Sequence, residues 1–231
     1  MGSSRLPGKV MCSLGDRTVL EEVLGRCASI PGVDVVVCAV PDKPESETLE
    51  ALTRACGAEV YRGSETDVLQ RYLGAARAAN ADVIMRVTSD CPLIDPEICG
   101  AVLRLRATEA ADYASNNLER TFPHGLDCEA FTTPALIDAE AATQLAHDRE
   151  HVTPWLRRSP GLKRVNLAAR EPYHVDERWT LDYPEDLSFM QAVFSEMPKM
   201  TRGYMADILA ILDANPALRA INAHRRLVSE Q

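Results

Sequence analysis

Short apolar runs rich in valine and isoleucine alternate with helix-patterned stretches through the first half of the chain, and this alternation restricts the fold more than any other feature. A strand covered on both faces reads as a near-continuous apolar run, and its parallel neighbour is reached only through a crossover, usually a helix. Residues 19–28 (VLEEVLGRCA) read as a helix, 34–40 (DVVVCAV) as a buried strand, 45–56 as a helix stopped by Gly57, and 58–61 as a short strand. Residues 67–79 place Val68, Leu69, Tyr72, Leu73 and Ala76 on one helical face, and 82–87 (DVIMRV) follow as another buried strand. Pro96 opens a helix to about Thr108, with Asp95 before it as the cap. Beyond this point the rhythm breaks. Residues 113–115, 126–132 and 162–168 look like strands, 134–144, 150–158, 184–194 and 204–214 like helices, and 179–182 form a further segment. The pattern predicts an α/β fold with a mixed, mainly parallel sheet flanked by helices.

With 231 residues, 46% of them apolar, the chain can bury one sizeable core, so one domain over 1–231 is expected, with a small lobe within about 113–180. A formal charge of −9 argues against a nucleic-acid track or an anionic membrane surface, either of which requires a cationic face. A bound nucleotide requires only a local cluster of cations. The seven cysteines are odd in number and form no C-x-x-C pair, which suggests neither a disulfide framework nor a zinc cage and points to a reducing cytoplasm. No apolar run approaches the roughly 20 residues that span a bilayer, and the N-terminus lacks a signal-peptide pattern. No G-x-G-x-x-G follows any strand, which weakens a dinucleotide-dependent oxidoreductase.

Gly2-Ser3-Ser4-Arg5-Leu6-Pro7-Gly8-Lys9 combines small residues and two cations just ahead of a helix. Backbone N–H groups at Gly and Ser can approach phosphate oxygens, while Arg5 and Lys9 offset the charge of a triphosphate; a solvated terminus reads the same way from composition alone. Asp90 lies at the carboxyl end of a predicted strand, where ligands of open α/β sheets collect. It is the leading metal-ligand candidate, with a helix cap or turn as the plain alternative. Arg62-Gly63-Ser64-Glu65 reads as an ordinary strand-to-helix loop. On the predicted strand through 126–132, Asp127 and Glu129 share a face. Arg149 and His151 start a helix where they can complete an acceptor pocket, Arg149 facing an acid group. Either histidine, His124 or His151, reads as well as a structural group.

The opening G-S-x-R-L-P-G-K resembles the signature of the cytidylyltransferases that make CMP-linked sugars, including the Kdo and spore-coat polysaccharide types. The resemblance continues in order through R-G-S-E-T-D-V-L-Q-R-Y (62–72), S-D-C-P-L-I-D-P-E (89–97), H-G-L-D-C-E-A-F (124–131), R-E-H-V-T-P-W (149–155) and L-D-Y-P-E-D-L (181–187). It implies a three-layer nucleotide-diphospho-sugar transferase fold of the GT-A-like, Rossmannoid kind. It also implies CTP and a sugar or sugar-acid acceptor as substrates, Mg2+ as cofactor, and a homodimer. Carried onto this sequence, it makes Asp90 and Asp182 the magnesium ligands and Gly2, Ser3, Ser4, Arg5 and Lys9 the triphosphate grip, Arg5 and Lys9 steadying the leaving pyrophosphate. Arg62 and Ser64 become nucleobase and ribose candidates, Arg71 a phosphate or carboxylate candidate, and His124, Asp127, Glu129, Arg149 and His151 acceptor candidates. Asp186 is left as a helix cap.

Relatives of this kind place an apolar strand and an Ala-Arg pair before the Gly-Ser loop, where this sequence has Met1. A central strand is therefore expected to be missing, which sets 35–40 and 83–87 about two strand spacings apart, roughly 9–10 Å, instead of paired. Two other readings stay open: a glycosyltransferase that consumes a nucleotide sugar, and a non-catalytic nucleotide-sugar-binding protein.

Overall fold

The computed structural model describes residues 5–197 and 203–228. The strands are β1 (Ser13–Leu14), β2 (Arg17–Thr18), β3 (Val37–Pro41), β4 (Glu59–Gly63), β5 (Val83–Arg86), β6 (Tyr113–Ser115), β7 (Glu129–Thr132) and β8 (Arg164–Asn166). The helices are α1 (Val19–Ala28), α2 (Glu47–Ala55), α3 (Val68–Ala78), α4 (Pro96–Thr108), α5 (Thr133–Ala142), α6 (Ala146–His151), α7 (Pro154–Arg158), α8 (Pro184–Glu196), α9 (Met205–Ala214) and α10 (Ala217–Ala220).

Local chemistry sets several of these boundaries. Thr18 and Glu21 close a capping box on α1: the Glu21 amide donates to the Thr18 hydroxyl at 3.3 Å, and the Thr18 amide donates to the Glu21 carboxylate at 2.6 Å. Asp95 caps α4 by accepting from the amides of Glu97 (2.8 Å) and Ile98 (3.3 Å), with Pro96 at the first helical position. The predicted helix over 150–158 is instead two short ones. Val152 adopts φ 71° and Pro154 follows, and together they interrupt the turn between α6 and α7.

The sheet is mixed and lies in separate pieces. β3 pairs with β4 in parallel, while a four-stranded sheet runs β5-β7-β6-β8, its β5–β7 and β6–β7 pairs antiparallel and β6–β8 parallel. β3 and β5 make no pairing with each other among the described residues, in keeping with the expectation that they are not neighbours. The two longest antiparallel pairs involve β7, so the mainly parallel sheet expected from the sequence is less parallel than the β3–β4 half suggests. An apolar cluster that includes Leu14, Val19, Leu93, Leu126, Trp179, Leu181 and Phe189 is assembled from segments distant in sequence, and it supports the loops that carry the acidic residues described next. No described helix is long and apolar enough to cross a membrane.

Candidate active site

Two carboxylates 92 positions apart are brought together by backbone pairing. The Leu181 amide donates to the Asp90 carbonyl at 2.9 Å, and the Thr180 hydroxyl donates to the same carbonyl at 3.3 Å. Leu93, Trp179 and Leu181 are fully buried beneath this junction, so Asp90 and Asp182 stand at the rim of an apolar floor.

The N-terminal loop reaches the same point. Leu6 packs on the cluster below the carboxylates and Val10 enters a different one, so the loop is pinned on both sides of Gly8 and Lys9. Gly8 takes φ 69°, a left-handed conformation that a glycine adopts without a steric penalty. The Lys9 ammonium then lies between the carboxylates, 2.9 Å from Asp90 Oδ2 and 3.1 Å from Asp182 Oδ1. Burial alone raises the Asp90 carboxyl, but Lys9 and the Thr88 hydroxyl outweigh it and hold the group below the usual carboxylate range. Burial likewise lowers Lys9, but the two carboxylates reverse this and raise it. Arg5 Nη2 approaches Asp182 Oδ1 at 3.2 Å, and Arg5 donates to the Tyr183 hydroxyl at 3.1 Å with its guanidinium 4.9 Å from the ring centroid.

Asp182 is held from behind. Arg178 Nη2 donates to Asp182 Oδ2 at 3.1 Å and also to the wholly buried Asp186, whose two oxygens receive Arg178 Nε and Nη2, each at 2.9 Å. Asp186 also accepts from the amides of Asp182 and Tyr183 and from the Asn222 side chain, each at 3.0 Å. The helix-cap role expected of Asp186 is present, and with it a buried ion pair that fixes the segment carrying Asp182.

A second strip lies alongside. The His124 amide donates to the Glu177 carbonyl at 2.9 Å and the Trp179 amide donates back to the His124 carbonyl at 2.6 Å, so residues 124–125 run against 177–179. Arg120 donates to Asp127 Oδ1 at 2.7 Å, and His124 Nε2 is 3.8 Å from Asp127 Oδ2. Burial lowers the His124 imidazole against the pull of Asp127, so the neutral form is favoured at neutral pH. Gly125 makes this close approach possible: it has φ 115°, and a Cβ there would lie 2.2 Å from the Trp179 carbonyl oxygen. Gly125→Ala is expected to cost at least about 2 kcal/mol of unfolding free energy in urea titrations. A loss within a few tenths of a kcal/mol would mean that the two segments are not packed as described.

The remaining candidates lie apart from the carboxylate pair in their polar contacts. Gly2, Ser3 and Ser4 fall outside the described residues. Arg62 is held by Asp42 (3.0 Å), Glu50 (2.8 Å) and the Lys43 carbonyl, and the Ser64 hydroxyl accepts from the Asp67 amide at the start of α3. These contacts are those of a braced strand-to-helix loop. Arg71 is buried, donates to the Ser64 and Glu65 carbonyls, and makes no ion pair among the described residues. The strand begins only at Glu129, and Glu129 has partners different from those of Asp127. The Glu129 carboxylate is buried against Arg86 (2.5 Å), the Tyr113 hydroxyl (2.5 Å) and Arg157 (3.3 Å). Burial raises Glu129, and Arg86 and Tyr113 more than offset it, so the acid is a paired core group with its oxygens in use. Arg149 pairs with Asp67 and Glu140, and His151 is exposed with its ring 4.5 Å from that of His147. Arg149 is thus tied to two acids, and His151 lies at the surface.

Arg178, Tyr183 and Asn222 were not singled out by the sequence. The one signal available was a spacing of four, Arg178-x-x-x-Asp182-x-x-x-Asp186, which becomes meaningful only once the extended backbone before α8 is known.

The carboxylate pair fits a hard divalent ion. A single cationic atom, Lys9 Nζ, already lies within 3.1 Å of both acids, and both donors are oxygens. Among the described residues no three His, Cys, Asp or Glu converge on one point, so such an ion would complete its coordination with phosphate and water.

The family model for cytidylyltransferases matches residues 1–208. The chain is 33% identical over 230 residues to an uncharacterized protein of Methanocaldococcus jannaschii, covering 97% of this chain and 92% of that protein. It is 31% identical over 223 residues to the spore coat polysaccharide biosynthesis protein SpsF of Bacillus subtilis, covering 94% and 92%. A solved cytidylyltransferase structure from Leptospira borgpetersenii superposes with a TM-score of 0.87 at 30% identity, covering 95% of this chain and 92% of that one. The loop, the strand-end acid and the second acid from the far half of the chain thus occur in a protein that belongs to the cytidylyltransferase family.

Proposed function

We propose that the protein transfers CMP from CTP to a hydroxyl of a sugar or sugar-acid acceptor, releasing pyrophosphate. The observation that carries this reading is the meeting of Arg5 and Lys9 with Asp90 and Asp182 at one point: cations for a polyphosphate beside oxygen donors for a divalent ion. The acceptor oxygen attacks the α-phosphorus in line. The new O–P bond forms as the bond to the bridging oxygen of the β-phosphate breaks, and the electron pair leaves with pyrophosphate. Arg5 and Lys9 offset the charge gathering on that leaving group. His124, whose neutral form is favoured by burial, takes the hydroxyl proton. Magnesium held by Asp90 and Asp182 would supply charge neutralisation and orientation at the phosphate oxygens.

Arg71, a buried cation without a carboxylate partner among the described residues, is the strongest remaining candidate for a nucleotide contact. The family resemblance supports CTP as the donor, a single nucleotidyltransferase domain with a lobe within about 113–180, and a homodimer. Pyrophosphate release should depend on magnesium and be fastest with CTP when the common ribonucleoside triphosphates are compared against a panel of acidic sugars. Equal release from every triphosphate, or none with any acceptor, would remove this reading.

A further inference from the structure

Lys9 occupies the position a divalent ion would need. Its ammonium lies 2.9 Å from Asp90 and 3.1 Å from Asp182, and its side chain is only 15% exposed, so the site carries an internal cation before any ligand arrives. Arg5 adds a second positive group at 3.2 Å from the same Asp182 oxygen. A divalent ion entering alone must displace Lys9 from two carboxylates and then lie beside an ammonium with no replacement partner. An ion arriving on a polyphosphate meets neither obstacle, because the phosphate oxygens supply its missing ligands and give Lys9 new acceptors as it leaves the acids. Among the described residues, too few donors converge to hold the ion otherwise.

We infer that Lys9 is a placeholder cation which blocks the bare metal and yields its position only to a metal–nucleotide pair, so that the metal and the triphosphate load together. The device spares Asp90 and Asp182 from facing each other uncompensated in the free protein and couples metal affinity to nucleotide. It rests on the same site as the proposed CMP transfer, but it concerns metal affinity in the absence of substrate. A protein inactive with every acceptor would overturn the proposed reaction and leave this inference intact.

The test uses the whole chain and Mn2+ alone, with bound ion counted by electron paramagnetic resonance. Lys9→Gln should bind Mn2+ about tenfold more tightly than wild type or beyond, because the competing charge is gone, and Lys9→Arg should not. Adding Asp90→Asn to Lys9→Gln should abolish the gain. Equal or weaker binding by Lys9→Gln, or a gain that survives Asp90→Asn, overturns the inference. A measurement on wild type guards against a variant that fails to fold. Acetylation of the Lys9 amine, followed by mass spectrometry, should be slow in the free protein and stay slow when Mn2+ is added alone. A rate that rises with Mn2+ alone would show the bare metal displacing Lys9 and overturns the inference.

Discussion

Asp90→Asn is expected to lower magnesium-dependent CMP transfer by about a thousandfold or more, with an unfolding midpoint close to wild type. The substitution keeps the shape of the side chain and removes only its charge. The backbone carbonyl of Asp90 still receives Leu181 N and Thr180 Oγ1, so the junction between the two segments persists. What disappears is one of the two anionic oxygens within 3.1 Å of Lys9 Nζ, and with it half of the protein's donors for the divalent ion. Steady-state rates of pyrophosphate release, paired with urea unfolding, separate the two effects. Turnover within tenfold of wild type would take Asp90 out of the mechanism.

Asp186→Ala is expected to produce the largest stability loss of any polar substitution around the site, about 3–5 kcal/mol against a total of roughly 5–15. Asp186 is 0% exposed and Arg178 3%, so removing the acid leaves a buried guanidinium without its main counter-charge. Five donors each lose one hydrogen bond at once: the guanidinium through Nε and Nη2, the Asp182 and Tyr183 amides, and the Asn222 amide group. A buried ion pair replaced as a unit behaves differently from one broken in half, so Arg178→Met combined with Asp186→Leu should recover part of that loss. Activity should not recover with it, because Asp182 Oδ2 would still lack Arg178. Urea titrations of the single and double variants check the first statement and turnover the second.

The contrast between these two acids shows what a sequence can convey. Asp90 follows an apolar run of strand type, and the carboxyl end of a strand is a place where ligands gather, so its position was legible from one local pattern. Asp95 and Pro96 were legible in the same way, as a cap whose partners lie three or fewer residues away. Asp186 was read as a cap because that part of its role is local. Its pairing with Arg178 and Asn222 depends on how three segments in the C-terminal half pack, and the spacing to Arg178 gains meaning only from that packing. Alternation through 126–132 implies a strand over the whole stretch, but only Glu129–Thr132 form one, and the pairing of Glu129 with Arg86 and Tyr113 depends on strands distant in sequence. The motif around Arg149 and His151 does not encode the two acids that hold Arg149 or the surface position of His151.

In the proposed reaction the α-phosphorus of CTP moves to the acceptor. Incubation with CTP labelled at the α-phosphate, an acidic sugar and magnesium, followed by separation of products, follows that atom. Label is expected in a CMP–sugar conjugate, together with unlabelled pyrophosphate in equal amount. Label appearing in CDP, or remaining in CTP that is bound but never consumed, would contradict that reaction.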